Sequence, residues 1–502
     1  MKRSIVLPLL LALAACSDDP AELIERARGE YAEQDFLAAR NDLAAAQRAE
    51  PGNRDALVLL ARAQLRLADG EGAQASIDQL KALGMKGPEL VRMEAEALLC
   101  RNQPQQAIDL LGNDNAADAW RIRAAARIKL GDSAGALAAF EAGMAAGGGY
   151  LITLDFGQYL LANGDVAGAA VQAQRLARYD ADSLASLMLN AEVANRQGRA
   201  EAAHQAWARA AKLYPKRIEP LLADARAYDA QGKVEQAAKL VERAAELEPD
   251  NPDVFDLQVQ LAGEMGEWDK VRTMLAPKEG ELSPISAKGL SYAEALLRLG
   301  HPEQARAWFE RAMLLSPNNP YSRLMAAEAQ LATGDAAAAY RTIKPLADSL
   351  LAGPRELELA ERAAREAGDP AAPALKARLQ SAQLKQNQTL NQQGHAALAR
   401  NDWNAAIAAF SQLAQQGEDA EVFKRLAFAL SNVGRHDEAI GYADRALKLD
   451  PENPDMLHIA GLTRLNAGRD RPTVLRLLKA AADKDPNSVQ FRGDLARAQA
   501  RG

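Results

Sequence analysis

A turn residue recurs every 34 positions through the middle of this chain. Glycines stand at 164, 198, 232, 266, 300, 334 and 368. Five positions beyond most of them comes an alanine, as in Ala169, Ala203, Ala237, Ala305 and Ala339. Gly434 and Ala439 keep the same offset. The register also selects Gln34, Gly70, Asn102 and Gly131 upstream, with Asn401 and Gly468 downstream, for fourteen turns in all. A period of this length means that each unit buries its apolar face against the next unit rather than in one shared core.

The residues inside one period say what the unit is. From Ser183 to Lys216 the chain reads SLASLMLNAEVANRQGRAEAAHQAWARAAKLYPK. Ala191 sits on a first helix where a second crosses closely, and Gly198 makes the turn. Ala203 and Ala210 keep the second helix thin, Trp207 fills the space between units, and Pro215 ends the helix. The next unit repeats this with Ala225, Gly232, Ala237, Ala244 and Pro249. Later units give Ala293, Gly300, Ala305, Phe309, Ala312 and Pro317, then Ala427, Gly434, Ala439, Ala446 and Pro451. This helix–turn–helix period resembles the tetratricopeptide repeat over nearly all of the chain after residue 15. The resemblance implies an all-α, right-handed α-solenoid of about fourteen repeats, closed by a C-terminal capping helix.

Departures from the pattern predict irregular places. Steps of 36, 32 and 29 residues separate Gln34, Gly70, Asn102 and Gly131, so the first repeats are expected to be uneven. Gly112–Asp118 marks a clipped second helix. Val271 replaces a small residue, Pro277–Pro284 reads as a longer turn, and Pro373 opens a helix where alanine is usual. The Gln/Asn-rich Ser381–Gln393 reads as a hinge dividing residues 21–380 from residues 381–502. In Ser488–Ala500, the positions Val489, Phe491, Leu495 and Ala498 are the expected apolar side of a half-polar cap.

Met1–Ala15 reads MKRSIVLPLLLALAA, a basic start followed by an apolar run too short to span a bilayer. With Cys16 it ends in Leu13-Ala14-Ala15-Cys16, which resembles the lipobox of bacterial lipoproteins. That resemblance implies cleavage between Ala15 and Cys16 and lipidation of the Cys16 thiol, with palmitate-type acyl chains anchoring the protein stably. Residues 1–15 are then a signal peptide and 16–20 a short lipidated linker. Ser17 after the Cys points to the outer membrane, with the array facing the periplasm. The linker's SDDP reaches at most about 14 Å when extended, so the array starts near the membrane.

The formal charge is −7, with no long basic run, which argues against nucleic acid as a partner. No HExxH, paired CxxC, GxxxxGKS/T or GxSxG motif occurs. His395 and His458 lie nearly two repeats apart, too far to share a metal, and Cys100 reads as a buried structural thiol. No cofactor, metal site or catalytic constellation is expected, and the chain reads as a binding protein rather than an enzyme.

The tetratricopeptide resemblance places binding on first-helix residues at fixed offsets before each turn. Carried over, these are Met188, Glu192 and Asn195, followed by Leu222, Arg226 and Asp229. The units ending at Gly300 and Gly334 add Leu290, Glu294, Tyr321, Leu324 and Glu328. Farther along come Asn391, His395, Lys424, Phe428 and Ser431. Such a groove suits an extended peptide or a helix. The expected function is an adaptor assembling envelope proteins for exopolysaccharide export, a pilus or secretin, or a cell-wall hydrolase complex. The alternative is direct contact with an exported polysaccharide, which calls for clustered aromatic rings; Tyr321 and Phe428 are its candidates.

Overall fold

The computed structural model describes residues 19–500, which form 29 α-helices, one 3-10 helix and no strand. Residues 1–15, expected to be a signal peptide, and Cys16 and Ser17, expected to carry and follow the lipid, lie outside the described residues. Twenty-eight of the helices pair into fourteen helix–turn–helix units, and Val489–Ala500 follows as a single terminal helix. The all-α repeat solenoid expected from the period is the fold.

The turn has two parts, only one of which is a glycine signal. At each of the fourteen turns one residue takes a positive φ between +56° and +84°, and ten of these residues are glycine. A residue lacking Cβ enters this region without steric cost. At six turns the residue immediately after it is an aspartate that caps the second helix. Asp35, Asp69, Asp132, Asp165, Asp335 and Asp402 each accept the backbone N–H three residues ahead, at 2.8–3.1 Å. Each such cap contributes about 1 kcal/mol.

The second turn differs from expectation. Ala68, not Gly70, holds the left-handed conformation, at φ +56°. Gly70 opens the helix Gly70–Ala82, and it is small for another reason. A Cβ there would stand 2.8 Å from Cys100 Cβ and 2.9 Å from the Ala97 carbonyl oxygen. With Ala68 as the turn, Gln34, Ala68 and Asn102 are evenly 34 apart, so the first repeats are regular. The short step to Gly131 remains, and there the second helix Pro104–Leu111 has eight residues. Trp268–Leu275 and Ala372–Leu379 are clipped to the same length. The expected long turn after Leu275 begins as the 3-10 helix Ala276–Glu281.

Small side chains sit where helices cross. Ala191, Ala203, Ala210, Ala225, Ala237 and Ala244 are fully buried, and Trp207 is buried between them. Cys100 is half-buried beside the cluster around Leu57, and burial raises its thiol pKa.

Residues through Pro249 form one compact unit and those from Asp250 a second. Within the first, Arg217 Nη1 donates to the Gln34 carbonyl oxygen at 2.8 Å, across 183 positions. Within the second, Asn487 Nδ2 donates to the Leu315 carbonyl oxygen at 2.9 Å, Ser316 Oγ meets Asp485 at 3.3 Å, and Asn318 bonds Asn453.

The segment read as a hinge lies inside the second unit, in the continuous 18-residue helix Ala382–Ala399. Its start is tied down. Asn387 is buried and donates to the Leu350 carbonyl oxygen, while Leu350 and Leu351 pack beside Leu390, Phe410 and Leu413. Asp419 accepts from Ser349 Oγ at 2.8 Å and Leu350 N at 2.6 Å, and it also caps the helix Ala420–Asn432. Arg378 donates to the carbonyl oxygens of Ala347 and Ser349. Glutamines and asparagines that look like a flexible linker in sequence are here helix surface and helix tether.

In the terminal helix Phe491 and Ala498 are buried and Leu495 is partly so, but Val489 is 75% exposed. Val489 is the first helical residue, ahead of the face that packs. His458, on the first helix Pro454–Ala467, is not open to solvent. It is buried under the terminal helix, tilted against Phe491 at 4.7 Å, with Nε2 2.8 Å from Asp494.

Candidate binding surfaces

In the second unit, first-helix residues join into a polar ladder. Tyr321 Oη donates to Glu294, which also accepts Arg298 at 3.0 Å. Arg298 continues to Glu328, and Arg355 reaches Glu328 at 3.1 Å. Burial and the bond to Glu294 push the Tyr321 phenol above its ordinary pKa. Three anticipated groove residues, Glu294, Tyr321 and Glu328, are thus brought together. Leu290 packs partly into the neighbouring core, and Leu324 is buried within it. A cavity of about 300 Å³ opens beside Arg298, Glu328 and Arg362.

Farther along, Lys424 Nζ is held by Glu421 at 2.9 Å and Asp455 at 3.5 Å. Burial acts to raise the Glu421 carboxyl, but Lys424 and Arg425 outweigh it and hold the pKa below the usual value. Phe428 meets Trp403 edge-on at 5.8 Å, and His395 is exposed, edge-on to Phe410. Asn391 is half-buried, with its Oδ1 buried and unpartnered. Ser431 is buried and accepts Asn466 Nδ2 at 3.1 Å.

In the first unit Glu192 pairs with Arg196 at 2.8 Å, Arg226 is exposed, and Asn195 and Asp229 are partly exposed. Met188 packs on the cluster around Trp207, and Leu222 is buried. Leu222, Leu324 and Ser431 therefore correct the expected groove. Their offsets place them on first helices, but neighbouring elements cover them.

A concavity of the first unit lies elsewhere, over the repeats the period alone makes uneven. A cavity of about 590 Å³ is lined by the first helices Arg54–Arg66, Pro88–Cys100, Ala117–Lys129 and Tyr150–Ala162, with Tyr31 and Tyr179 also on its wall. Its floor is a charge network. Arg121, almost fully buried, donates to Glu96 at 2.7 Å, Asp118 at 2.8 Å and Asp155 at 3.4 Å. Burial alone would lower the Arg121 pKa, but the three carboxylates raise it above the ordinary arginine value. Burial lifts the Asp155 carboxyl above its usual range, with Arg121 and Arg66 opposing. No residue of this cavity stands among the anticipated groove positions. Its signal in sequence is arginine and acid recurring on successive first helices, which a 25% charged surface hides.

Among the described residues no group of three or more His, Cys, Asp or Glu is placed to hold a metal ion, and no helix is long and apolar enough to cross a membrane.

Tetratricopeptide repeat models match residues 154–218, 194–261, 296–350 and 420–453. These segments are tetratricopeptide repeats. A curated relative, small glutamine-rich tetratricopeptide repeat-containing protein 2 of Mycosarcoma maydis, is 29% identical over 111 residues. That match covers 22% of this chain and 32% of the relative, so the chain spans about a third of that relative's length. Among solved structures, the anaphase-promoting complex hetero-tetramer Cut9-Hcn1 aligns at 16% identity with a TM-score of 0.36, covering 96% of this chain and 97% of that one. The type IV pilus biogenesis factor PilW aligns at 19% identity with a TM-score of 0.28, covering 40% of this chain and 96% of that one. Tetratricopeptide repeats form protein-binding scaffolds.

Proposed function

We propose that this protein is a lipid-anchored scaffold that gathers envelope proteins on its first-helix surfaces. The carrying observation is the ladder Tyr321–Glu294–Arg298–Glu328–Arg355, which lines up donors, acceptors and an aromatic edge along three successive first helices. A repeating polar and apolar track of this kind suits an extended segment or helix of another protein. The lipobox-like ending at Cys16 supports attachment to the outer membrane, with the array in the periplasm. Machines of this setting include those for exopolysaccharide export, pilus or secretin assembly, and cell-wall hydrolysis. The reading assigns no catalytic role.

The test is in-cell crosslinking from Glu294 and Phe428, followed by mass spectrometry. One envelope protein recovered from both positions is the expected outcome; no specific protein from either one removes the scaffold reading. For the anchor, Cys16→Ser should leave the protein uncleaved or release it from the membrane fraction. A correctly processed Cys16→Ser protein that still sediments with membranes would show that no lipid on Cys16 holds it there.

A further inference from the structure

The cavity of the first unit is chemically unlike the second unit's ladder. At about 590 Å³ it falls in the size range of small-ligand sites. Its wall carries four aromatic rings, Tyr31, Phe36, Tyr150 and Tyr179. Tyr179 is 53% exposed, and Tyr31 and Phe36 meet edge-on at 5.1 Å. In the second unit Tyr321 and Phe428 make the same kind of edge contact, with Phe309 and Trp403.

The charges of the wall are largely cancelled within it. Arg62 pairs with Glu89 at 2.5 Å, Arg92 with Asp114 at 2.7 Å, and Arg121 with its three carboxylates. A strongly basic ligand meets four arginines here, and a strongly acidic one meets the carboxylates that already hold them. Hydrogen-bonding capacity, unlike ion-pairing capacity, is left over. A guanidinium has five N–H donors and a carboxylate about four lone-pair sites. Arg62 commits one donor to Glu89, and Arg66 acts on Asp155 through its charge, with no hydrogen bond drawn from its guanidinium among the described residues. Glu96 and Asp118 each take a single bond from Arg121.

The matching ligand donates and accepts through the same groups, carries no net charge, and presents flat apolar faces to rings. Those are the properties of a polyhydroxylated sugar ring. We propose that the first unit's cavity is a binding site for a neutral oligosaccharide, with Tyr179 stacking on a sugar face and Arg66 donating to its hydroxyls. This site stands apart from the protein-binding ladder, and neither depends on the other.

The test uses the full chain in detergent, titrated calorimetrically with cellohexaose, laminarihexaose, chitohexaose and mannohexaose up to about 10 mM, the range of weak single-site binding. At least one sugar is expected to bind. Arg66→Gln and Tyr179→Ala should each weaken it about fivefold, the scale of one hydrogen bond or one stacking contact. Neither side chain makes a hydrogen bond on which its helix depends, so the helical circular dichroism should be unchanged; Lys376→Ala, at an exposed position in the other unit, serves as the binding control. No heat with any of the four sugars overturns the proposal. So does binding that both variants leave intact, which would place it elsewhere. Lys-rich or Asp-rich hexapeptides that bind in its place, with the same sensitivity to Arg66→Gln, would make this a peptide pocket and equally overturn it.

Discussion

The two units of this solenoid use one repeat and differ in where their polar side chains are spent. In the first, a bond from Arg217 to the Gln34 carbonyl links residues 183 positions apart, and the charged residues of successive first helices face an open cavity of about 590 Å³. In the second, polar side chains join loops. Asn487, Ser316, Asn318 and above all Asp419 bind residues tens to hundreds of positions away. Its first-helix residues then bond one another in a ladder. A side chain that fastens one loop to another is not offered to a ligand, whereas one that lines a cavity is.

Breaking this contrast should be easiest at Asp419. Asp419→Ala removes a helix cap and leaves Ser349 and the Leu350 N–H without their acceptor. A loss of about 2 kcal/mol is expected, confined to the second unit, from one cap plus one stranded, partly buried donor. Urea unfolding followed by hydrogen exchange in both units measures it; equal loosening of the first unit would mean that the contrast is not local.

The next effect sharpens the first unit's own geometry. Gly70→Ala should cost about 2 kcal/mol, because the added methyl meets Cys100 and the Ala97 carbonyl. Ala68→Gly should be neutral or stabilising by about 0.5 kcal/mol, since relief of the left-handed strain offsets the greater freedom of the unfolded chain. Thermal melts of the two variants check the pair, and the reverse order of effects would restore Gly70 as the turn.

The smallest effect concerns the terminal helix. The bond from His458, ahead of the opposing effect of burial, holds the Asp494 carboxyl below its ordinary pKa. Its contribution to stability is therefore complete above the unfolded carboxylate value of about 4 and is lost as the pH falls through the lower folded value. After correction for the intrinsic pH dependence of amide exchange, protection of Val489–Ala500 should fall in that acid window, and Asp494→Asn should abolish the fall; a fall that survives Asp494→Asn would point to another group.

The 34-residue period was legible because glycine at a left-handed turn and alanine at a helix crossing are each forced by local sterics. Ala68 was hidden because its conformation is imposed by the units on either side, while nearby Gly70 answers a packing need that looks like a turn in sequence. Offsets found the neighbours Glu294, Tyr321 and Glu328. The same offsets could not separate them from Leu222, Leu324 and Ser431, whose cover comes from adjoining elements. The cavity was least legible of all. It is lined by side chains from several successive repeats, and the recurring arginines and acids that mark it look in sequence like an ordinary charged surface.

One consequence follows from the bond between Arg217 and Gln34. A stack of repeats that touch only their neighbours comes apart by fraying, each unit leaving almost independently. A tie across 183 positions exists only while the helices between remain in register. Pulled from its ends, such a segment should behave less like a zip that opens tooth by tooth than like a buckled strap, holding its length until the buckle gives and then paying out several repeats together.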